Sequence, residues 1–214
     1  MNQRICLEIK KFHPLQPPPS KGRIGGGIFF TDRKKILDLE TTIKNLPKNC
    51  AIIIREYDLD AASREAFARK IIDLARPKNH KVLIGKNFSL AKKLKADGLH
   101  FSDFDKIPTQ FLQKKLWPKN FIFSLAAHSL KSVLKLQKLA PDLLFISPIF
   151  ATTSHANQKN LGLKNLAKIS FQTKNQPYFS PNIYALGGVN FTNLKSLQKL
   201  PICGFGAIDF FKTH

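Results

Sequence analysis

The chain has 214 residues, 43% of them hydrophobic, and a formal charge of +21 from 35 Lys and Arg against 14 Asp and Glu. That length suits one barrel at the short end of its range, or one smaller doubly wound domain, with enough apolar content for a core. With no run of 18 apolar residues and with charges in residues 1–11, the chain offers neither a transmembrane helix nor a signal peptide, and a cytoplasmic protein without membrane contact is expected.

In chain order, residues 1–27 read as an arm. Pro17, Pro18 and Pro19 favour an extended conformation, and Gly25, Gly26 and Gly27 form a hinge into the first strand. The glycine triplet lacks the Lys-Ser/Thr of a P-loop and precedes a strand rather than a helix. Residues 28–214 form the domain. Apolar runs predict strands at 28–32, 51–55, 81–84, 98–101, 121–125, 143–147, 183–186 and 202–205. Helical spacing predicts helices at 36–45, 61–75, 88–95, 108–116, 129–139, 161–171 and 191–199, with Pro77, Pro118 and Pro141 as stops. Residues 207–214 allow a short last helix at best. Eight strand–helix units in one domain predict an α/β fold, a (β/α)₈ TIM barrel, with its chemistry on the loops after the strands.

The charge raises nucleic acid, anionic lipid or phosphorylated substrates as partners. The lysines scatter over helix faces (Lys92, Lys93 and Lys95; Lys131, Lys135 and Lys138), which fits a solvated surface; nucleic acid stays open on charge alone. Cys6, Cys50 and Cys203 are odd in number and far apart, so reduced thiols are expected.

Glycines after the last two strands mark the usual phosphate site of this fold. They are Gly187 and Gly188 in one turn, and Gly204 and Gly206 with Ala207 in the next. Arg55 and Glu56 end the second strand, as a rim ion pair or with a substrate-facing arginine. Asp103 and Asp105 follow the fourth strand, as magnesium ligands or helix caps. His128, just past the fifth strand, can act as acid or base. His100 reads as a barrel-interior residue, His155 as solvated, and His80 as lying on the opposite face. Thr152, Thr153 and Ser154 suit phosphate oxygens on a loop spanning 148–160, or a merely polar loop.

These segments together resemble one family. The matching stretches are Phe29-Phe30-Thr31-Asp32-Arg33, Ile54-Arg55-Glu56, Ala96-Asp97-Gly98-Leu99-His100, Ala127-His128-Ser129, Ser147-Pro148 through Ser154, Leu161-Gly162-Leu163 and Ala185-Leu186-Gly187-Gly188-Val189. Their order resembles the thiamine phosphate synthase/TenI superfamily of vitamin B1 biosynthesis. The resemblance implies a thiazole phosphate bound at Gly188 and the Gly206-Ala207 turn. In the synthase branch it also implies a pyrimidine pyrophosphate and Mg²⁺, with Asp105 on the metal and Arg55, Thr152 and Ser154 toward the substrates. There pyrophosphate leaves, and the thiazole nitrogen attacks the pyrimidine cation.

The chain departs from the synthase pattern at four positions. Tyr57 replaces a lysine, Gly85-Lys86 replaces Asn-Asp, Ala126 replaces a serine and His155 replaces a lysine. Lys86 can put charge on a pyrophosphate but cannot ligate magnesium. The TenI branch implies a metal-free thiazole phosphate tautomerase with a histidine at the position of His128. The expectation therefore leans to a tautomerase that needs no cofactor. The alternatives are a divergent synthase using Asp105, Arg55, Thr152 and Lys86, and a catalytically lapsed barrel that binds a ligand or nucleic acid. Assembly into a homo-oligomer is left open.

Overall fold

A computed structural model describes residues 26–212, except residues 49, 153–158, 175, 177, 178 and 180. The arm expected at residues 1–27 therefore lies almost wholly outside the described residues, as do Thr153, Ser154 and His155.

Eight parallel strands close into a barrel in sequence order: β1 (Gly27–Phe30), β2 (Ala51–Ile54), β3 (Lys81–Gly85), β4 (Gly98–Ser102), β5 (Ile122–Ala127), β6 (Leu143–Ile146), β7 (Asn182–Leu186) and β8 (Gly204–Ala207). The seam pairs Ile28 with Gly206 and Phe29 with Ala207. The strands read as continuous apolar runs because parallel strands in a barrel are buried on both faces. Alternate residues then divide between two cores. Phe29, Ile52, Ile54, Ile84, Leu99 and Leu125 face the surrounding helices. Ile28, Phe30, Ile53, Leu83, Phe145 and Tyr184 fill the barrel interior.

Among the described residues, seven helices alternate with the strands: α1 (Leu39–Lys44), α2 (Ala61–Ala75), α3 (Phe88–Lys93), α4 (Thr109–Leu112), α5 (Leu130–Leu136), α6 (Gly162–Lys174) and α7 (Leu194–Leu197). Five are shorter than the sequence predicts, and three of those have a clear local cause. Asp38 accepts from the Thr41 amide and starts α1 at Leu39. The Asn190 side chain accepts from the Thr192 and Asn193 amides, holding a turn where a helix from 191 is expected. The stretch predicted as one helix at 108–116 splits into α4 and a 3₁₀ turn, Lys114–Leu116. Trp117 then stacks on Phe111 at 4.6 Å and donates its indole N–H to the Phe111 carbonyl at 2.7 Å.

β8 also differs from expectation. It runs to Ala207, so Gly204 and Gly206 belong to the strand and not to a turn after it. A Cβ on Gly206 would meet the Phe30 ring at 2.6 Å. The glycine makes room for an aromatic plug inside the barrel. A 3₁₀ turn, Asp209–Phe211, replaces a closing helix, and it buries Phe210 and Phe211 against Phe205.

Candidate active site

The strands' C-terminal ends surround a cavity of about 360 Å³. Of the residues singled out in the sequence, it gathers Arg55, Lys86, Asp105, His128, Thr152, Gly187, Gly188 and Ala207. Gly206 does not line it, since that residue is buried in β8; Ile208 and Asp209, just beyond, do.

The loop after β7 presents backbone. Gly187 and Gly188 adopt φ of +90° and +68°, in the left-handed region where a Cβ is costly. A Cβ on Gly188 would also meet Phe150 at 2.8 Å, because the loop after β6 lies on top of it. The two loops are zipped by Ile149 N–H to the Leu186 carbonyl (2.9 Å) and Phe150 N–H to the Gly187 carbonyl (3.1 Å). Among the described residues, no acceptor takes the amides of Gly187, Gly188 or Val189. Such donors at a cavity edge are suited to an anion.

On the opposite side, His128 follows β5 and Asp103 follows β4, on neighbouring strands. Asp103 clasps the histidine twice. Its Oδ2 accepts from the His128 amide at 3.0 Å, and its Oδ1 lies 2.5 Å from Nδ1. Burial works to raise the Asp103 carboxyl, but hydrogen bonds from His128 and Ser132 hold it below the usual carboxylate range. An ionised carboxylate only accepts, so the ring proton sits on Nδ1 and the lone pair of the neutral imidazole sits on Nε2. Phe104, largely exposed at the cavity mouth, lies over the imidazole at 4.6 Å between ring centroids. Asp103 is thus the partner of a histidine, neither a helix cap nor a companion of Asp105. The signal was the adjacency of β4 and β5, which the sequence order implies only once the barrel is assumed.

Asp105 is engaged elsewhere. Its Oδ1 pairs with Lys86 Nζ at 2.6 Å, and its Oδ2 accepts from the Ser102 amide and hydroxyl at 2.7 and 3.0 Å. Burial raises this carboxyl, and the Lys86 and Ser102 hydrogen bonds bring it below the ordinary range. Lys86 itself takes a left-handed φ of +62° and stands 4.5 Å over the Tyr57 ring, which has Arg64 at 5.3 Å. An ammonium and two Ser102 donors on the carboxylate do not fit a divalent cation. Among the described residues, no group of three His, Cys, Asp or Glu side chains could hold a metal ion.

The second strand's Arg55 and Glu56 do not pair through their side chains as a rim ion pair. Arg55 donates Nε to the Thr31 carbonyl and Nη2 to Asp32, both at 3.2 Å, and faces the cavity. Glu56 is buried; it accepts from the Thr31 hydroxyl at 2.5 Å and from the Arg33 and Arg55 amides. Burial pushes its carboxyl up against these bonds.

A parallel eight-stranded barrel, with amides after β7 that no described acceptor takes and a His–Asp pair after β4 and β5, defines a class: a (β/α)₈ barrel with a polar cavity at the C-terminal ends of its strands. The chain belongs to the thiamine monophosphate synthase family, whose model matches residues 28–208. A relative named putative thiamine-phosphate synthase 2, from Aquifex aeolicus (strain VF5), is 34% identical over 185 residues, covering 85% of this chain and 95% of its own. A thiamine-phosphate synthase of Caldanaerobacter subterraneus subsp. tengcongensis is 26% identical, covering 77% and 75%. The solved thiamine phosphate pyrophosphorylase from Pyrococcus furiosus shares the fold with a TM-score of 0.70 at 20% identity, covering 86% of this chain and 85% of that one. The family is one of thiamine biosynthesis. Among the described residues, no helix is long and apolar enough to cross a membrane.

Proposed function

We propose that this barrel binds a thiazole phosphate and acts as a TenI-like tautomerase, without metal or other cofactor. The observation that carries the reading is the division of the cavity. The His128–Asp103 pair opens on it, the Gly187–Val189 amides edge it, and Lys86 pairs with Asp105, the carboxylate that the resemblance puts on a metal. In this reading the Gly187 and Gly188 amides hold the phosphate, with Thr152 and Ala207 beside it, while Ser154 lies outside the described residues. The ring then lies toward His128. Nε2 takes a proton from one ring position, and the resulting imidazolium, stabilised by Asp103, returns it to another. The ring becomes aromatic with no net loss of protons or electrons, so no oxidant or leaving group enters.

A second reading has one observation in its favour. Lys35, Arg55 and Lys86 line the same cavity, and three cations suit a pyrophosphate. A divergent synthase would use them on a pyrimidine pyrophosphate, Lys86 supplying charge that its relatives' pattern gives to Mg²⁺.

The test incubates the protein with the non-aromatic thiazole phosphate tautomer in EDTA, and separately with thiazole phosphate and pyrimidine pyrophosphate, with and without Mg²⁺. Aromatisation in EDTA that disappears in His128→Ala is expected. Thiamine phosphate formed at enzymatic rates would overturn the tautomerase reading. Thermal stabilisation by thiazole phosphate without turnover of either kind would mark a barrel that only binds.

A further inference from the structure

The cavity holds a second histidine that this chemistry leaves unused. His100 lies in β4 with its side chain turned into the barrel, 5% exposed, and lines the cavity floor. The Phe30 and Phe145 rings meet it edge-on, at 5.4 and 5.6 Å between centroids. Its Nδ1 lies 2.5 Å from Ser124 Oγ, on the neighbouring strand β5.

Hydrogen-bond accounting assigns the tautomer. The Ser124 hydroxyl is fully buried, and among the described residues His100 is its one side-chain partner. If Nδ1 carried the proton, the Ser124 O–H would have nothing to donate to, which costs on the order of 1–3 kcal/mol in a buried site. The satisfied arrangement has Ser124 donating to Nδ1, which places the ring proton on Nε2. Nε2 is not among the buried unpartnered atoms, and no described residue bonds it; it reaches the cavity. Burial pushes the imidazole down to about 3. Arg55, Lys86 and His128 oppose a second charge there, and Asp105 favours it more weakly than burial disfavours it. The ring stays neutral.

We propose that His100 is a fixed, neutral N–H donor at the cavity floor, and that it positions the bound heterocycle by donating to an acceptor atom of its ring. This rests on the thiazole phosphate reading for the ring's identity. The two histidines then have opposite tasks. His128, braced by a carboxylate, moves a proton, whereas His100, braced by a hydroxyl, holds one still. An apolar residue would fill the gap between Phe30 and Phe145 with no polar group to satisfy, so packing alone gives no reason for a His–Ser pair here.

Long-range ¹H–¹⁵N correlation of the histidine rings tests the first half in the free protein. A proton on Nε2 of His100, unchanged from pH 5 to 8, is expected. A proton on Nδ1, or titration within that range, overturns the inference by itself. Thiazole phosphate should shift the Nε2–H signal together with the Gly187–Val189 amides, whereas inorganic phosphate should shift only the amides. An Nε2–H that stays in place while thiazole phosphate moves the amides overturns the positioning role. If thiazole phosphate moves neither, the functional reading fails and the ring contact falls with it, a different pattern from the other two. In the tautomerase assay His100→Phe, combined with Ser124→Ala so that no buried hydroxyl is left without an acceptor, should raise KM about tenfold, the loss of one hydrogen bond, with little change in melting temperature. His100→Gln, which keeps an N–H donor, should recover most of it. Equal KM values in the Phe variant and the parent also overturn the assignment.

Discussion

Lowering the pH from 7 to 5 withdraws stability from this barrel through His80. The residue precedes β3 at the end opposite the cavity, 4% exposed, and among the described residues neither ring nitrogen has a well-formed hydrogen bond. Burial pushes its imidazole from 6.5 down to about 4, helped by Lys78 and opposed by the Cys50 backbone. The unfolded chain therefore binds a proton below pH 6.5 that the folded chain refuses until about pH 4. Stability is complete above 6.5, falls between 6.5 and 4, and levels off below. At about 1.4 kcal/mol per pH unit, His80 alone removes about 2 kcal/mol at pH 5 and about 3 kcal/mol by pH 4. His80→Phe abolishes that contribution and also removes an unsatisfied buried polar ring, so the variant should gain up to about 1 kcal/mol at pH 7 and more at pH 5. Urea unfolding of both proteins from pH 7.5 to 4.5 measures this directly. Parallel stability curves for parent and variant would refute the reasoning, as would a His80 ring signal titrating near 6.5.

Other expectations follow from the cavity. Asp103→Asn keeps the shape of the His128 brace but removes its charge, and should lower kcat in the proposed tautomerisation about 100-fold with KM nearly unchanged, measured by steady-state kinetics. Gly188→Ala forces a Cβ into a φ of +68° and against Phe150; it should cost about 1–2 kcal/mol in urea unfolding and weaken thiazole phosphate binding by calorimetry. Lys86→Ala breaks a half-exposed ion pair, so its unfolding free energy should change by less than about 1 kcal/mol; a larger loss would mean the pair is structural rather than a charge set for ligand.

The barrel was legible because the strands are mostly apolar runs, each followed by a helical pattern, and eight such units in one domain suit a closed barrel. Helix ends were not, because Asp38 and Asn190 set them by side-chain hydrogen bonds that periodicity does not register. Gly204 and Gly206 resemble turn glycines in sequence, yet the strand needs Gly206 for space beside the Phe30 ring and Gly204 for the close approach of the Gly26 backbone, requirements visible only across the barrel. At the site, His128, Arg55 and the Gly187-Gly188 turn could be picked out singly. Their partners could not. Asp103 reaches His128 from 25 residues away, and Ser124 reaches His100 from 24, because strand register and not spacing brings them together. Lys86 on Asp105 was half legible: its charge excluded a metal ligand, but the contact itself depends on a left-handed turn after β3.

The seam between β1 and β8 has a consequence for how the chain acquires its shape. Every other strand finds both neighbours within one helical connection, but Ile28 must wait for Gly206, from the far end of the domain. So distant a meeting slows folding, because the closure entropy is lost before the seam's contacts form. A nascent barrel would thus spend most of its synthesis as an open, curling sheet with β1 exposed along one edge. Phe210 and Phe211, arriving just after β8, are the residues that latch it shut over Phe29 and Phe205.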